Sequence, residues 1–148
     1  MKLTQRTLLV EDSSDDAELM LAALSEYCDA DKVVVAKDGE EALDYLYRRN
    51  GHSDRPCGNP VLILLDIKMP KMDGLEVLRV IKSDPQLKTI PVVMLTSSRE
   101  ERDVTSSYRL GSNGYVVKSL LFGELHAVLQ KTAAFWLTVN ESCPDAAE

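Results

Sequence analysis

A chain of 148 residues that is 45% hydrophobic is expected to form one domain with a real core, over residues 1–139, followed by an acidic tail over 140–148, with no room for a second, effector domain. The net charge of -7 excludes nucleic-acid binding by bulk electrostatics. Only a short apolar run precedes Glu11 and Asp12, no stretch reaches membrane-spanning length, and Cys28, Cys57 and Cys143 lack CxxC spacing or a neighbouring histidine. The expectation is a cytoplasmic protein with reduced thiols.

In chain order, strand signals at about Thr7 to Val10, Val33 to Ala36, Val61 to Leu65, Val92 to Leu95 and Tyr115 to Val117 alternate with helical patterns. The first helix carries Ala17, Met20, Leu21 and Leu24 at i, i+3, i+4 and i+7, behind Ser13 or Ser14 as N-cap. The second and third open with Asp38…Glu41 and Asp73…Glu76, an acid followed three residues later by Glu, and Ser98 with Glu101 is expected to open the fourth in the same way. That fourth helix has little apolar surface beyond Val104, Tyr108 and Leu110, so weak packing is expected. The last runs to about Val139, with Leu121, Leu125, Val128, Leu129, Thr132 and Trp136 expected on one side. Arg48 to Pro60 is rich in polar residues, glycine and proline and reads as a long surface loop; Glu141 to Glu148 reads as a frayed end. Five βα units with right-handed crossovers give an α/β fold: a flavodoxin-like, doubly wound sheet of five parallel strands in the order 2-1-3-4-5, with five helices.

Open parallel sheets bind ligands outside the carboxyl ends of their strands. Here the first strand ends in Glu11-Asp12, the third in Asp66, the fourth in Thr96-Ser97-Ser98 and the fifth in Lys118, so three acids, a hydroxyl and an amine meet at one rim. Clustered carboxylates bind a proton or recruit a cation, and an oxygen-only set without histidine or thiolate suits Mg²⁺. Lys118 and Thr96 are the partners that phosphoryl oxygens want, and Asp66 at the centre is a nucleophile able to form an acyl phosphate.

Glu11-Asp12, Asp66 followed by Met69-Pro70 and Asp73-Gly74, then Thr96-Ser97 and Lys118, resemble the signature of receiver domains of two-component response regulators, in residue types and in the Asp66-to-Thr96 and Thr96-to-Lys118 intervals. The resemblance covers about Thr7 to Val139. It implies that Asp66 takes a phosphoryl group from a histidine kinase. It also implies that Mg²⁺ is held by Glu11, Asp12, Asp66 and the backbone carbonyl of Lys68, and that Thr96 and Lys118 grip the phosphoryl oxygens. Thr96 and Tyr115 would be the switch pair, and Lys68 and Ser98 would tune acyl-phosphate lifetime. Lys118-Ser119, the segment Arg99 to Val104 and Phe135-Trp136-Leu137 are similar to the single-domain regulators that accompany bacterial phytochromes. That similarity implies a phytochrome kinase as partner, a homodimer with Phe135 and Trp136 available to its interface, and an unidentified downstream protein; Trp136 fits core burial equally well.

Two departures stand out. Ser119 occupies the place of the family's proline, and a cis bond to a non-proline residue costs about 3 kcal/mol. Leu120-Leu121-Phe122 gives the last helix an apolar start that is either a contact surface or core. An aspartyl-phosphate hydrolase would want an acid at Lys68, and a nucleotide or flavin module would want glycines where Glu11-Asp12-Ser13-Ser14-Asp15-Asp16 stands. A receiver-like scaffold working without phosphorylation is the remaining alternative. His52 and His126 read as surface residues and the scattered methionines as packing.

Overall fold

The computed structural model describes residues 5–118 and 121–144, so Ser119, its bond to Lys118 and Leu120 lie outside the described residues. Strands β1 (Thr7–Val10), β2 (Val33–Ala36), β3 (Leu62–Leu65), β4 (Val92–Thr96) and β5 (Gly114–Val117) form one parallel sheet in the order β2-β1-β3-β4-β5. Helices α1 (Ser14–Leu24), α2 (Gly39–Tyr47), α3 (Gly74–Ser83), α4 (Glu101–Arg109) and α5 (Phe122–Ala134) follow the strands in turn. The doubly wound, flavodoxin-like expectation holds. Among the described residues no helix is long and apolar enough to cross a membrane.

The three central strands are apolar on both faces because helices cover both. Leu8, Val10, Ile63, Leu65, Val92 and Met94 point to the face covered by α2 and α3, with Leu43, Leu46, Val77, Leu78 and Ile81. Leu9, Leu62, Leu64, Val93 and Leu95 point to the other, against Met20, Ala23 and Leu24 of α1 and Leu125, Leu129 and Ala133 of α5. Each large side chain so buried contributes roughly 1.5–3 kcal/mol of transfer free energy.

The caps at α1, α2 and α3 form as their sequences require. Ser13, Asp38 and Asp73 each accept from the N–H three residues on, at 3.2, 2.8 and 3.0 Å. The expectation for α4 is corrected: its capping position is Glu100, without a side-chain bond. Ser98 Oγ instead donates to the buried Asp103 carboxylate at 2.5 Å and accepts from the Glu100 N–H at 3.3 Å. The helix begins at Glu101, so the Ser98 hydroxyl lies outside its first turn, taking the Glu100 N–H on its oxygen and giving its own proton to the buried acid. The inward side of α4 is therefore polar, Asp103 and Ser107, with Val104 only half-buried and Tyr108 exposed.

The C-terminal helix is also corrected in detail. Its buried stripe is Leu125, Leu129, Ala133 and Leu137, flanked by half-buried Val128, Thr132 and Trp136, whereas Leu121 is 63% exposed. After Ala134 the backbone widens into a π turn over Phe135–Val139, closed by the Asn140 N–H on the Phe135 carbonyl at 2.7 Å. Phe135 stands 47% exposed, edge-on to Trp136 at 5.0 Å.

The Arg48-to-Pro60 loop is more organised than its composition suggests. Arg55 Nε and Nη2 donate to the Tyr45 and Leu46 carbonyls at the end of α2, Nη1 to those of Pro56 and Gly58, and the guanidinium stacks 4.3 Å over the Tyr45 ring. His52, expected to be a simple surface residue, packs edge-on against that ring at 5.6 Å. Cys143 lies beside Asn59, Pro60, Val61 and Ile90.

Candidate functional site

Strand register builds the site. Val10 pairs with Leu65, so Glu11 and Asp66 leave β1 and β3 side by side; Thr96 pairs with Val117, so Lys118 emerges next to the end of β4. The Asp66 N–H is held by the Val10 carbonyl at 3.2 Å and the Lys118 N–H by the Thr96 carbonyl at 2.7 Å. Hydrophobic strands thus carry polar groups into burial: Glu11 is 2% exposed, Asp66 7% and Thr96 0%.

Behind Asp66 the chain turns through Lys68, which is exposed, and returns at Gly74, whose N–H donates to the Ile67 carbonyl at 2.8 Å. A Cβ on Gly74 would stand 2.0 Å from the Asp66 carbonyl oxygen. Only glycine permits that approach.

Lys118 Nζ donates to Glu11 Oε1 at 2.5 Å, to Asp66 Oδ2 at 3.2 Å and to Asp16 Oδ2 at 3.2 Å. Burial pulls the Lys118 ammonium down, but the hydrogen bond to Glu11 and the charges of Asp66 and Glu11 outweigh it and hold it above lysine's ordinary range. Burial pushes the Glu11 carboxyl from 4.5 up to about 7 against the pull of Lys118, and the charge of Asp66 adds to the rise.

Glu11, Asp12 and Asp66 each offer a carboxylate oxygen, and these lie within 4.8 Å of one another, with Asp12 exposed at the mouth. Oxygen-only donors at that spacing fit a hard divalent cation whose remaining positions go to water.

A hydrogen-bonded chain leads away from the rim. The Ser98 N–H donates to Thr96 Oγ1 at 3.3 Å, the Tyr115 hydroxyl to the Ser98 carbonyl at 2.9 Å, and Ser98 Oγ to Asp103 on α4. Burial keeps the Tyr115 phenol above its ordinary range.

The structure brings Glu11, Asp12, Asp66 and Lys118 together, sets Thr96 at the end of β4 beside Lys118, and joins Tyr115 to Thr96 through Ser98, while Lys68 is exposed two residues after Asp66. Sequence reasoning missed two. Asp16 reads from sequence only as part of an acidic run; three residues after the Ser13 cap it lies on the first turn of α1, and its carboxylate reaches Lys118. Asp103 carried no signal, since an acid in a polar helix reads as solvated.

Comparison with known proteins agrees with this geometry. Residues 7–130 match the response regulator receiver domain family. Response regulator Rcp1 of Synechocystis sp. is 42% identical over 130 residues, covering 88% of this chain and 87% of that protein. The crystal structure of the phosphorylated cyanobacterial phytochrome response regulator RcpA superposes with a TM-score of 0.87 at 40% identity, covering 93% of this chain and 97% of that one. The bacteriophytochrome response regulator AtBRR gives a TM-score of 0.75 at 48% identity, covering 97% of this chain and 98% of that one. Three carboxylates and a lysine at the ends of β1, β3 and β5, on a chain matched over most of its length, place this protein in the response regulator receiver domain family.

Proposed function

We propose that this chain is a phosphorylation switch of a phytochrome-linked two-component system, accepting a phosphoryl group on Asp66 from a histidine kinase and signalling through altered protein contact. The observation that carries this reading is Lys118 Nζ bound to both Asp66 and Glu11, beside an Asp12 open to solvent. Glu11, Asp12 and Asp66, with the Lys68 carbonyl, would hold Mg²⁺, which neutralises the carboxylates and draws phosphoryl oxygens to them when bound. Asp66 supplies the attacking oxygen. Lys118 and Thr96 receive the phosphoryl oxygens as charge gathers on them. The bonds that join Thr96 to Ser98, and Ser98 to Tyr115 and Asp103, support Thr96 and Tyr115 as the switch, since Thr96 drawn toward the phosphate would give up the Ser98 N–H; Lys68 and Ser98 are read as tuners of lifetime.

The receiver domain is read as residues 1–139 with a tail over 140–148, in a cytoplasmic protein that is a switch and not an enzyme. The phytochrome link is supported by relatives described as phytochrome or bacteriophytochrome response regulators at 40–48% identity. Exposed Phe135 beside half-buried Trp136 supports a homodimer through the end of the last helix.

The test is intact-protein mass after incubation with acetyl phosphate, with and without Mg²⁺, for wild type and Asp66→Asn. One added phosphoryl group that needs both Mg²⁺ and Asp66 is expected. Labelling that survives Asp66→Asn refutes the assignment, and wild type that neither labels nor receives phosphate from a phytochrome kinase favours a scaffold.

A further inference from the structure

We propose that Asp16 is a positioning residue for phosphoryl transfer, holding the Lys118 ammonium at the mouth of the site with a carboxylate that is not needed by the metal. The proposal rests on the reading of Asp66 as phosphoacceptor. An ammonium has three N–H donors, and Lys118 directs them at three carboxylates on three elements. Two of these, Glu11 and Asp66, belong to the cluster whose oxygens lie within 4.8 Å of one another. A divalent cation held by those carboxylates repels the ammonium and weakens its hold on Glu11 and Asp66. Asp16 is the partner that lies outside that cluster.

Local structure explains why Asp16 is available. It occupies the third helical position after the Ser13 cap, where an acid commonly turns back to the N–H of the capping residue. That N–H is already taken by Glu11 Oε2 at 3.2 Å. The Asp16 backbone N–H meanwhile donates to Ser13 Oγ at 3.2 Å, which fixes the turn, and the carboxylate reaches across to β5. Its side chain is 37% exposed against 1% for Glu11 and 10% for Asp66, so it stands where a phosphodonor arrives. Held from this side, Lys118 keeps an N–H directed at the Asp66 oxygen on which the phosphoryl group lands.

In the reaction a bond forms between Asp66 Oδ and phosphorus while the donor's P–O or P–N bond breaks, releasing acetate from acetyl phosphate or ammonia from phosphoramidate. The experiment measures the rate of this mass gain at saturating Mg²⁺ with both donors, for wild type, Asp16→Asn and Asp16→Glu. The Asn variant is expected to slow about tenfold with either donor, as misplacement of a reacting partner does. Asp16→Glu should restore most of the rate. Mg²⁺ affinity should move less than about fivefold, the effect of one partly solvated charge. In the metal-free Asn variant the Lys118 ammonium, followed by ¹⁵N NMR, should exchange faster with water. An unchanged rate in Asp16→Asn overturns the proposal. So does an increase confined to acetyl phosphate, the more highly charged donor, which would make Asp16 a repulsive gate. Wild type that takes a phosphoryl group from neither donor removes the Asp66 reading itself.

Discussion

Replacing Gly74 with alanine sets two effects of opposite sign against each other. Alanine is favoured over glycine in a helix by about 1 kcal/mol, and Gly74 is the first residue of α3, so propensity alone would stabilise the variant. The new Cβ, however, would stand 2.0 Å from the Asp66 carbonyl oxygen, 2.8 Å from its carbonyl carbon and 2.9 Å from Ile67 Cα. All three are backbone atoms, so no rotamer relieves the clash, and the segments must part by more than about 1 Å to regain van der Waals contact. Overpacking of that kind costs about 1–3 kcal/mol. Loss of the Gly74 N–H bond to Ile67 adds about 1 kcal/mol. Sterics win, leaving the variant less stable by about 2 kcal/mol. The displaced atoms belong to Asp66 itself, so the functional loss should exceed the loss of stability: a shift of about 1 Å slows phosphoryl uptake on the order of 100-fold. Urea unfolding gives the first quantity and mass gain from acetyl phosphate the second. A Gly74→Ala protein as stable as wild type and labelled at the same rate would refute the reasoning.

Raising Glu11 from 4.5 to about 7 makes the folded, metal-free protein bind more protons than the unfolded chain between those values. Its contribution to stability should therefore fall by about 3 kcal/mol as pH rises from 4.5 to 7, read as wild type minus Glu11→Gln in urea with chelator present; a flat difference would contradict this. Lys118 shifts in the opposite range, so its contribution is lost only above lysine's ordinary pKa. Asp103→Ala strips Ser98 Oγ of its acceptor, and a loss of about 1–2 kcal/mol with faster hydrogen exchange across α4 is expected; unchanged exchange there would show that α4 is held by other contacts. Arg55→Ala removes the four carbonyl bonds and the Tyr45 stack that order the long loop, so a lowered melting temperature and a loss of about 2 kcal/mol should follow, and a neutral outcome would show that these bonds do not hold the loop.

The elements, their order and the rim were legible because each depends on short-range pattern. Apolar runs of strand length ended in acids, a hydroxyl and a lysine, and Ser13, Asp38 and Asp73 capped helices three residues from their partners. Parallel pairing then left little freedom, since a register that buries Leu8, Val10, Ile63 and Leu65 on one face brings Glu11 beside Asp66. Choices among competing polar partners were not legible. Ser98 could cap α4 or bond Asp103, and Asp16 could turn back to its own helix or reach Lys118. Arg55 could dissolve in solvent or bind the end of α2. Each alternative is locally satisfactory, and the outcome depends on which groups tertiary packing has already buried or occupied. The exposure of Leu121 and the buried stripe through Ala133 and Leu137 were decided in the same way, by how α5 lies against α1 and the sheet. Which chemistry meets at the rim follows from the order of residues alone, because strand ends carry it there. Which polar group each side chain takes as partner follows from packing, because those hydrogen bonds are set by distance between elements that are remote in the chain.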